Sequence, residues 1–262
     1  MDLGLKNKAV LVLASSKGLG KATALEYVSH GASVMISSRN ENELVITAKQ
    51  IKQLTGQEVV YCVADVSSYH DIKNLVTKTV EQFGTIDVLI NNAGGPPAGG
   101  FDDFNDDDWQ KSFELNLLSV IRTIREVLPY MKKQGSGRIV NIASSSIKQP
   151  IDHLILSNTF RTGMVGLAKT LSSELAKDNI LINTIGPGQI KTDRIGEFDK
   201  AKAESLGITQ EEVQRTKENQ IPLGRYGTPG EFAKVMVFFG SYANTYVTGQ
   251  SLLVEGGMVK SL

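Results

Sequence analysis

Short apolar runs rich in Val and Ile alternate with longer segments of helical apolar spacing along this chain, and that alternation leaves little freedom in the fold. A continuous apolar run bounded by turn residues reads as a strand buried on both faces, and the longer segment between two such runs supplies the crossover of a βαβ unit. The runs fall near 8–13, 33–37, 58–63, 86–90, 137–143, 180–185 and 250–254. Helical patterns fall near 19–30, 41–55, 69–83, 107–134, 154–177 and 228–241, the last opened by Thr228-Pro229 as cap and first-turn residue. The expected fold is α/β, a doubly wound sheet of about seven parallel strands flanked by helices. Right-handed crossovers and a reversal of strand order place the ligand crevice at the carboxyl ends of the strands.

A chain of 262 residues suits one such sheet, so residues 1–262 are expected to form a single domain. Lys plus Arg equal Asp plus Glu at 28 each, leaving no net field to draw the protein to nucleic acid or to an anionic membrane, and neither is expected as a partner. Cys62, the only cysteine, lies in the run Val59-Val60-Tyr61-Cys62-Val63 and is expected to be a buried, unreactive thiol in a reducing, cytoplasmic setting. No stretch approaches the ~20 apolar residues of a membrane span, the first residues carry no signal pattern, and no metal site is expected. Three loops after strands stand out: the Gly/Pro segment 94–100, the polar loop 144–153, and the long charged segment 188–227, which is only partly helical in pattern and is expected to act as a lid.

The first apolar run ends in Leu13-Ala14-Ser15-Ser16-Lys17-Gly18-Leu19-Gly20 and passes directly into helix formers. Glycines there let backbone amides approach a pyrophosphate at the positive end of a helix, although plain helix–strand packing uses the same pattern. The spacing resembles the Thr-Gly-x-x-x-Gly-x-Gly fingerprint of the short-chain dehydrogenase/reductase family. Further segments resemble that family in the same order: Asp65-Val66, Asn91-Asn92-Ala93-Gly94, Asn116, and Pro187-Gly188. The resemblance covers nearly the whole chain. It implies a Rossmann-type fold in which Ser16, Lys17, Gly18, Leu19 and Gly20 cradle a dinucleotide. It also implies that Asp65 and Val66 flank its adenine, and that Asn92, Ala93 and Gly94 line its path. Pro187, Gly188, Ile190 and Thr192 would then meet the nicotinamide end, with Thr192 bonding the carboxamide. Leu13 and Ala14 stand where the family usually has Thr and Gly; Leu13 is expected to fill its space by packing, and Ala14 to lower cofactor affinity because it lacks glycine's freedom of φ.

The second apolar run ends in Ser37-Ser38-Arg39-Asn40, with no acid to accept from a ribose 2′-hydroxyl. Arg39 offers a guanidinium fork for a 2′-phosphate, Ser38 a hydroxyl and Lys17 a second positive charge, so the expected cofactor is NADP(H). Arg39 and Lys17 as ordinary solvated charges is the competing assignment.

Members of this family move a proton with a Tyr whose phenol is tuned by a Lys four residues on, while a Ser polarises the carbonyl. Ile139-Val140-Asn141-Ile142-Ala143-Ser144 resembles the strand that ends in the family Ser. Thirteen residues on, the Tyr position holds Ser157, and the Lys position holds Arg161. Tyr69 and Lys73 share the spacing but open the helix beyond Asp65, on the adenine side, and are a decoy. A serine is a far weaker acid than a phenol, and an arginine does not readily pass a proton on, so the usual relay is missing. Ser144 and Ser157 are expected to donate to a carbonyl oxygen, and Arg161 to hold the nicotinamide ribose or to anchor a carboxylate or phosphate of the substrate. His153 is the candidate acid, four residues before Ser157, with a helix-start residue facing water as the competing assignment. Asn116 resembles the family Asn that kinks its helix and holds a water; without Tyr and Lys, a residue that only bends the helix is the alternative.

Two functions fit. One is an NADP(H)-dependent oxidoreductase, similar to 3-oxoacyl-carrier-protein reductases, that interconverts a small-molecule carbonyl and alcohol with a non-standard proton donor. The other is a catalytically impaired NADP(H)-binding or sensing protein of the same fold. The helical patterns 107–134 and 154–177 and the last strand resemble the family's packing faces, which implies a homotetramer or homodimer.

Overall fold

The structure, a computed structural model, describes residues 1–261. Its strands are β1 (Ala9–Val12), β2 (Ser33–Ser38), β3 (Val60–Val63), β4 (Val88–Asn91), β5 (Gly137–Ile142), β6 (Ile180–Pro187) and β7 (Ser251–Val254). They form one parallel sheet in the order β3-β2-β1-β4-β5-β6-β7, which reverses direction between β1 and β4. Every residue of β1, β4 and β5 is buried, which is why these strands read as unbroken apolar runs and not as alternating ones.

Successive side chains on a strand point to opposite faces, so the sheet feeds two cores. Leu11, Leu89, Ile139 and Ile182 pack with Leu75, Ile124 and Met164 on one face. These come from helices α3 (Tyr69–Phe83), α5 (Ser119–Gln134) and α6 (Ile155–Leu175). Val10, Val12, Val88, Val140 and Ile185 pack with Tyr27, Val28, Phe232 and Met236 on the other, from α1 (Gly18–Ser29) and α9 (Pro229–Phe239). Helix α2 (Glu41–Thr55) joins β2 to β3 and ends on Gly56 in the left-handed conformation, φ 73°.

Two segments differ from the sequence expectation. The pattern at 107–134 is not one regular helix: α4 (Asp106–Phe113) passes through a π turn at Glu114–Leu118 before α5. Asn116 sits in that turn and its Nδ2 donates to the Ser112 carbonyl at 3.2 Å, taking an acceptor that an α-helix would use for its own backbone. Apolar periodicity does not register one extra residue in a turn. The charged segment 188–227 is also more helical than its composition suggests, forming α7 (Asp193–Leu206) and α8 (Gln210–Glu218). Thr192 caps α7, and Thr209 with Glu212 forms a capping box on α8. Their buried apolar faces are as narrow as Ala203 and Val213, too little to stand out in a charged sequence.

Both ends of this excursion are stitched at one point, because Lys191 N donates to Gly227 O at 2.8 Å and Gly227 N to Gln189 O at 2.9 Å. Buried Asp199 links the two helices to the segment leading into α9, accepting from Lys217 Nζ at 2.5 Å and from the Tyr226 hydroxyl at 3.0 Å. Among the described residues, no helix is long and apolar enough to cross a membrane.

Candidate active site

At the carboxyl end of β1 the chain turns on Ala14, φ 45°, and Gly18, φ 58°, and enters α1. Helices α2, α3 and α9 are capped by Asn40, Ser68 and Thr228, whereas the side chain at the start of α1, Lys17, makes no cap bond and its first turn carries no acid. Its leading amides are therefore left to an outside acceptor at the positive end of the helix. A Cβ on Gly20 would collide with the Ala14 carbonyl and lie 2.9 Å from Asn92 Nδ2, so only glycine lets the helix sit this close to the turn. Asn92 Nδ2 donates to Ala14 O at 3.0 Å, tying the end of β4 to the glycine turn. Above Gly94 the space is open. An unclaimed helix start, a glycine cradle and open space fit a dinucleotide pyrophosphate.

Beside this turn, Ser38 is nearly buried and its hydroxyl bonds the backbone of Asn40, while Arg39 is exposed with no carboxylate within 4.0 Å among the described residues. Lys17 Nζ lies 4.0 Å from Glu43, whose other oxygen accepts from Ser16 Oγ at 2.9 Å. Glu43 was not expected here: it lies on the first turn of α2, and nothing in its spacing marks it as a neighbour of the glycine loop. Asp65 turns one carboxylate oxygen onto the Ser67 amide and hydroxyl at 2.9 and 2.7 Å, and Val66 packs into the core.

The catalytic candidates come from the next strands. Ser144 follows β5 and caps the 3-10 turn Ser145–Ile147, its Oγ accepting from Ser146 N at 3.1 Å, which leaves the hydroxyl proton to donate elsewhere. A Cβ on Gly186 of β6 would come within 2.5 Å of Ser144 O, so that glycine sets how close the Ser144 turn lies to β6. Ser157 and Arg161 sit one turn apart on α6, both buried, at 8% and 5% exposure. Arg161 donates from Nη1 to Ile142 O at 2.8 Å and from Nη2 to Ala93 O at 3.4 Å, bridging the ends of β5 and β4. Burial, reinforced by the nearby positive charge of Arg194, pulls its pKa down to about 10, which still leaves it a cation at neutral pH.

His153 is exposed and held at φ 57°, a left-handed conformation that costs a histidine roughly 1–2 kcal/mol. Its carbonyl accepts from Gly99 N at 2.6 Å and Gly99 O accepts from Ile155 N at 3.3 Å, so the Gly/Pro segment is stitched to the start of α6. Buried Asn116 bends its helix as described and leaves its Oδ1 without a protein partner. Asn91 Nδ2 donates to Asn141 Oδ1 at 2.9 Å across β4 and β5, a sheet-supporting contact. Gly188 N bonds Val254 O at 2.9 Å, Ile190 is buried, and the Thr192 hydroxyl accepts from Ile195 N at 3.4 Å.

Tyr69 and Tyr226 are each bonded to a carboxylate. Tyr69 donates to Glu126 at 2.6 Å on α5, and that carboxylate raises its pKa, with Lys73 lying over its ring. Tyr226 is committed to Asp199, and burial followed by that carboxylate pushes its pKa up. One residue absent from the sequence expectation does reach the site: Arg194 of α7 donates from Nη2 to Pro96 O at 3.2 Å. Only the folding back of the charged segment reveals it.

The sequence matches the short chain dehydrogenase family over residues 8–203. It is 34% identical to a 3-oxoacyl-[acyl-carrier-protein] reductase of Thermotoga maritima, over 97% of this chain and 99% of that one. It is 32% identical to an uncharacterized oxidoreductase of Bacillus subtilis, with both chains covered in full. Among solved structures, L-sorbose reductase from Gluconobacter frateurii, complexed with NADPH and L-sorbose, superposes with a TM-score of 0.95 at 30% identity over the full length of both chains.

Proposed function

The chain belongs to the short-chain dehydrogenase family, and from that membership we propose that it is an NADP(H)-dependent oxidoreductase interconverting a carbonyl and an alcohol with a proton donor other than the family's Tyr. The observation that carries this reading is one juxtaposition: the uncapped helix start at Gly18, the basic pair Lys17 and Arg39, and the free-proton hydroxyl of Ser144, all at the carboxyl ends of one parallel sheet. Two structurally similar proteins, L-sorbose reductase and an actinorhodin polyketide ketoreductase, were solved with NADPH, which supports the cofactor assignment.

In this reading the amides of Gly18, Leu19 and Gly20 hold the pyrophosphate, and Arg39, Lys17 and Ser38 hold the 2′-phosphate. Asp65 and Val66 flank the adenine, and Pro187, Gly188, Ile190 and Thr192 orient the nicotinamide. When bound, the cofactor supplies or accepts the hydride. Ser144 and Ser157 donate to the substrate oxygen, Arg161 holds the nicotinamide ribose or anchors an acidic group of the substrate, and His153 delivers or removes the proton. Residues 188–227, anchored at Gln189 and Gly227, serve as the lid. The apolar groove between α5 and α6, lined by Ile121, Leu128, Leu167 and Leu171, supports assembly as a homotetramer or homodimer.

The test is NADPH consumption across aldehydes, ketones and oxoacyl compounds. Turnover that falls about tenfold or more in Ser144→Ala is the expected result. Tight NADPH binding without turnover of any carbonyl would instead favour the second reading, a binding or sensing protein, which the substitution of both Tyr and Lys by Ser157 and Arg161 supports.

A further inference from the structure

Arg161 is a buried cation with spare valence. A guanidinium has five N–H donors, and this one spends its contacts on two neutral carbonyls, Ile142 O and Ala93 O. Among the described residues no carboxylate lies within 4.0 Å of it, although it is only 5% exposed. Burying an unpaired charge is costly, and folded proteins ordinarily pair it or neutralise it.

A second arginine reaches the same short segment. Arg194, exposed on α7, donates to Pro96 O at 3.2 Å, three residues along from the carbonyl that Arg161 holds. Its guanidinium lies 5.1 Å from the Phe198 ring and passes over Gly95, where a Cβ would come within 2.5 Å of Nη2. Glycine makes the room for the guanidinium. Glu197, three residues on, is exposed and acts on it through its charge without coming within 4.0 Å. Two like charges thus converge on Ala93–Pro96, and among the described residues no carboxylate lies within 4.0 Å of either guanidinium, an arrangement that an arriving anion relieves.

We propose that the crevice takes an oxo acid, and that Arg161 at its floor and Arg194 at its mouth recognise the carboxylate. Planar guanidinium forks match a carboxylate's two oxygens. Ser157 lies one helical turn before Arg161 on α6, a spacing of roughly 5–6 Å between Cβ atoms, so the carboxylate stands only a few bonds from the carbonyl held by the serines. This deepens the oxidoreductase reading and rests on it.

The test is calorimetric titration of the protein saturated with NADP+, so that the pyrophosphate site is filled, using hexanoate and the isosteric neutral hexanamide. The acid is expected to bind about tenfold or more tightly than the amide. That ratio is expected to collapse toward about one in Arg194→Gln and to survive in part in Arg194→Lys. Equal affinities, no heat from either compound, or a ratio untouched by Arg194→Gln would overturn the proposal. A kinetic comparison of 2-oxohexanoate with its methyl ester separates the two readings. Turnover of the ester and not the acid sinks the arginine assignment and leaves the oxidoreductase standing. Selective binding of hexanoate without any turnover does the reverse.

Discussion

Ala14 holds a left-handed backbone, φ 45°, while its carbonyl oxygen accepts from Asn92 Nδ2 at 3.0 Å, so the strained residue of the glycine turn is also the one that ties β1 to β4. The bond fixes the carbonyl where Gly20 needs it, and the alanine Cβ bears the cost. Ala14→Gly is expected to keep the geometry and remove about 1 kcal/mol of strain. Thermal denaturation should show a rise of roughly 2–4 °C for a chain of this size, with NADPH bound at least as tightly. An unchanged or lower midpoint would mean that the turn carries no strain.

Glu43 competes for the charge that the 2′-phosphate would use. Its carboxylate lies 4.0 Å from Lys17 and accepts from Ser16 at 2.9 Å. Glu43→Gln is expected to tighten NADPH binding about threefold or more with little change for NADH, and Arg39→Ala to weaken NADPH about tenfold. Fluorescence titration at low and high salt checks both, since an electrostatic preference shrinks as salt screens it. Equal or tighter binding of NADH to the parent protein would defeat the cofactor assignment.

His153 separates chemistry from folding in one substitution. Because it sits at φ 57°, His153→Gly removes the imidazole and relaxes the backbone together, so stability is expected to hold or rise. The turnover rate is expected to fall about tenfold or more and to recover in part with added imidazole. Full activity in the glycine variant would return His153 to the role of a solvent-facing turn residue.

Arg225 and Glu231 clasp the return of segment 188–227 to α9, with Nη2 to Oε1 at 2.7 Å and Nη1 to Oε2 at 3.0 Å. That pair first, then the Thr228 amide and hydroxyl, holds the Glu231 carboxyl down to about 2 from its ordinary 4.5. A depressed acid contributes stability that is fully present above about 4.5 and lost as pH falls toward about 2. Glu231→Gln is expected to flatten stability against pH in that window, and to speed proteolytic nicking within 191–226 at neutral pH. Parent and variant curves that stay parallel below pH 4.5 would show that the clasp contributes nothing.

The order of strands and helices was legible because a sheet covered on both faces demands unbroken apolar runs, and Val10, Leu89 and Ile139 could be read directly as core. The tight glycine turn after β1 was legible too, since Gly20 tolerates no Cβ and the chain has no substitute for glycine there. Asn116 was legible as a bend, but the π turn that makes it was not, because one extra residue in a helical turn leaves the apolar pattern intact. The helices of 188–227 were hidden by charge, their stability resting on caps and on Asp199, whose partners Lys217 and Tyr226 lie 18 and 27 residues away.

What the sequence determined by itself was the sheet, its carboxyl edge and the placing of Ser157 four residues before Arg161 in one helical pattern, all set by local spacing and residue type. Only the tertiary structure decided that Arg194 reaches Pro96, that Glu43 meets Lys17, and that Arg161 lies buried without an acid. Charge interactions depend on distance through space and on exclusion of water, and neither quantity is written in the order of residues.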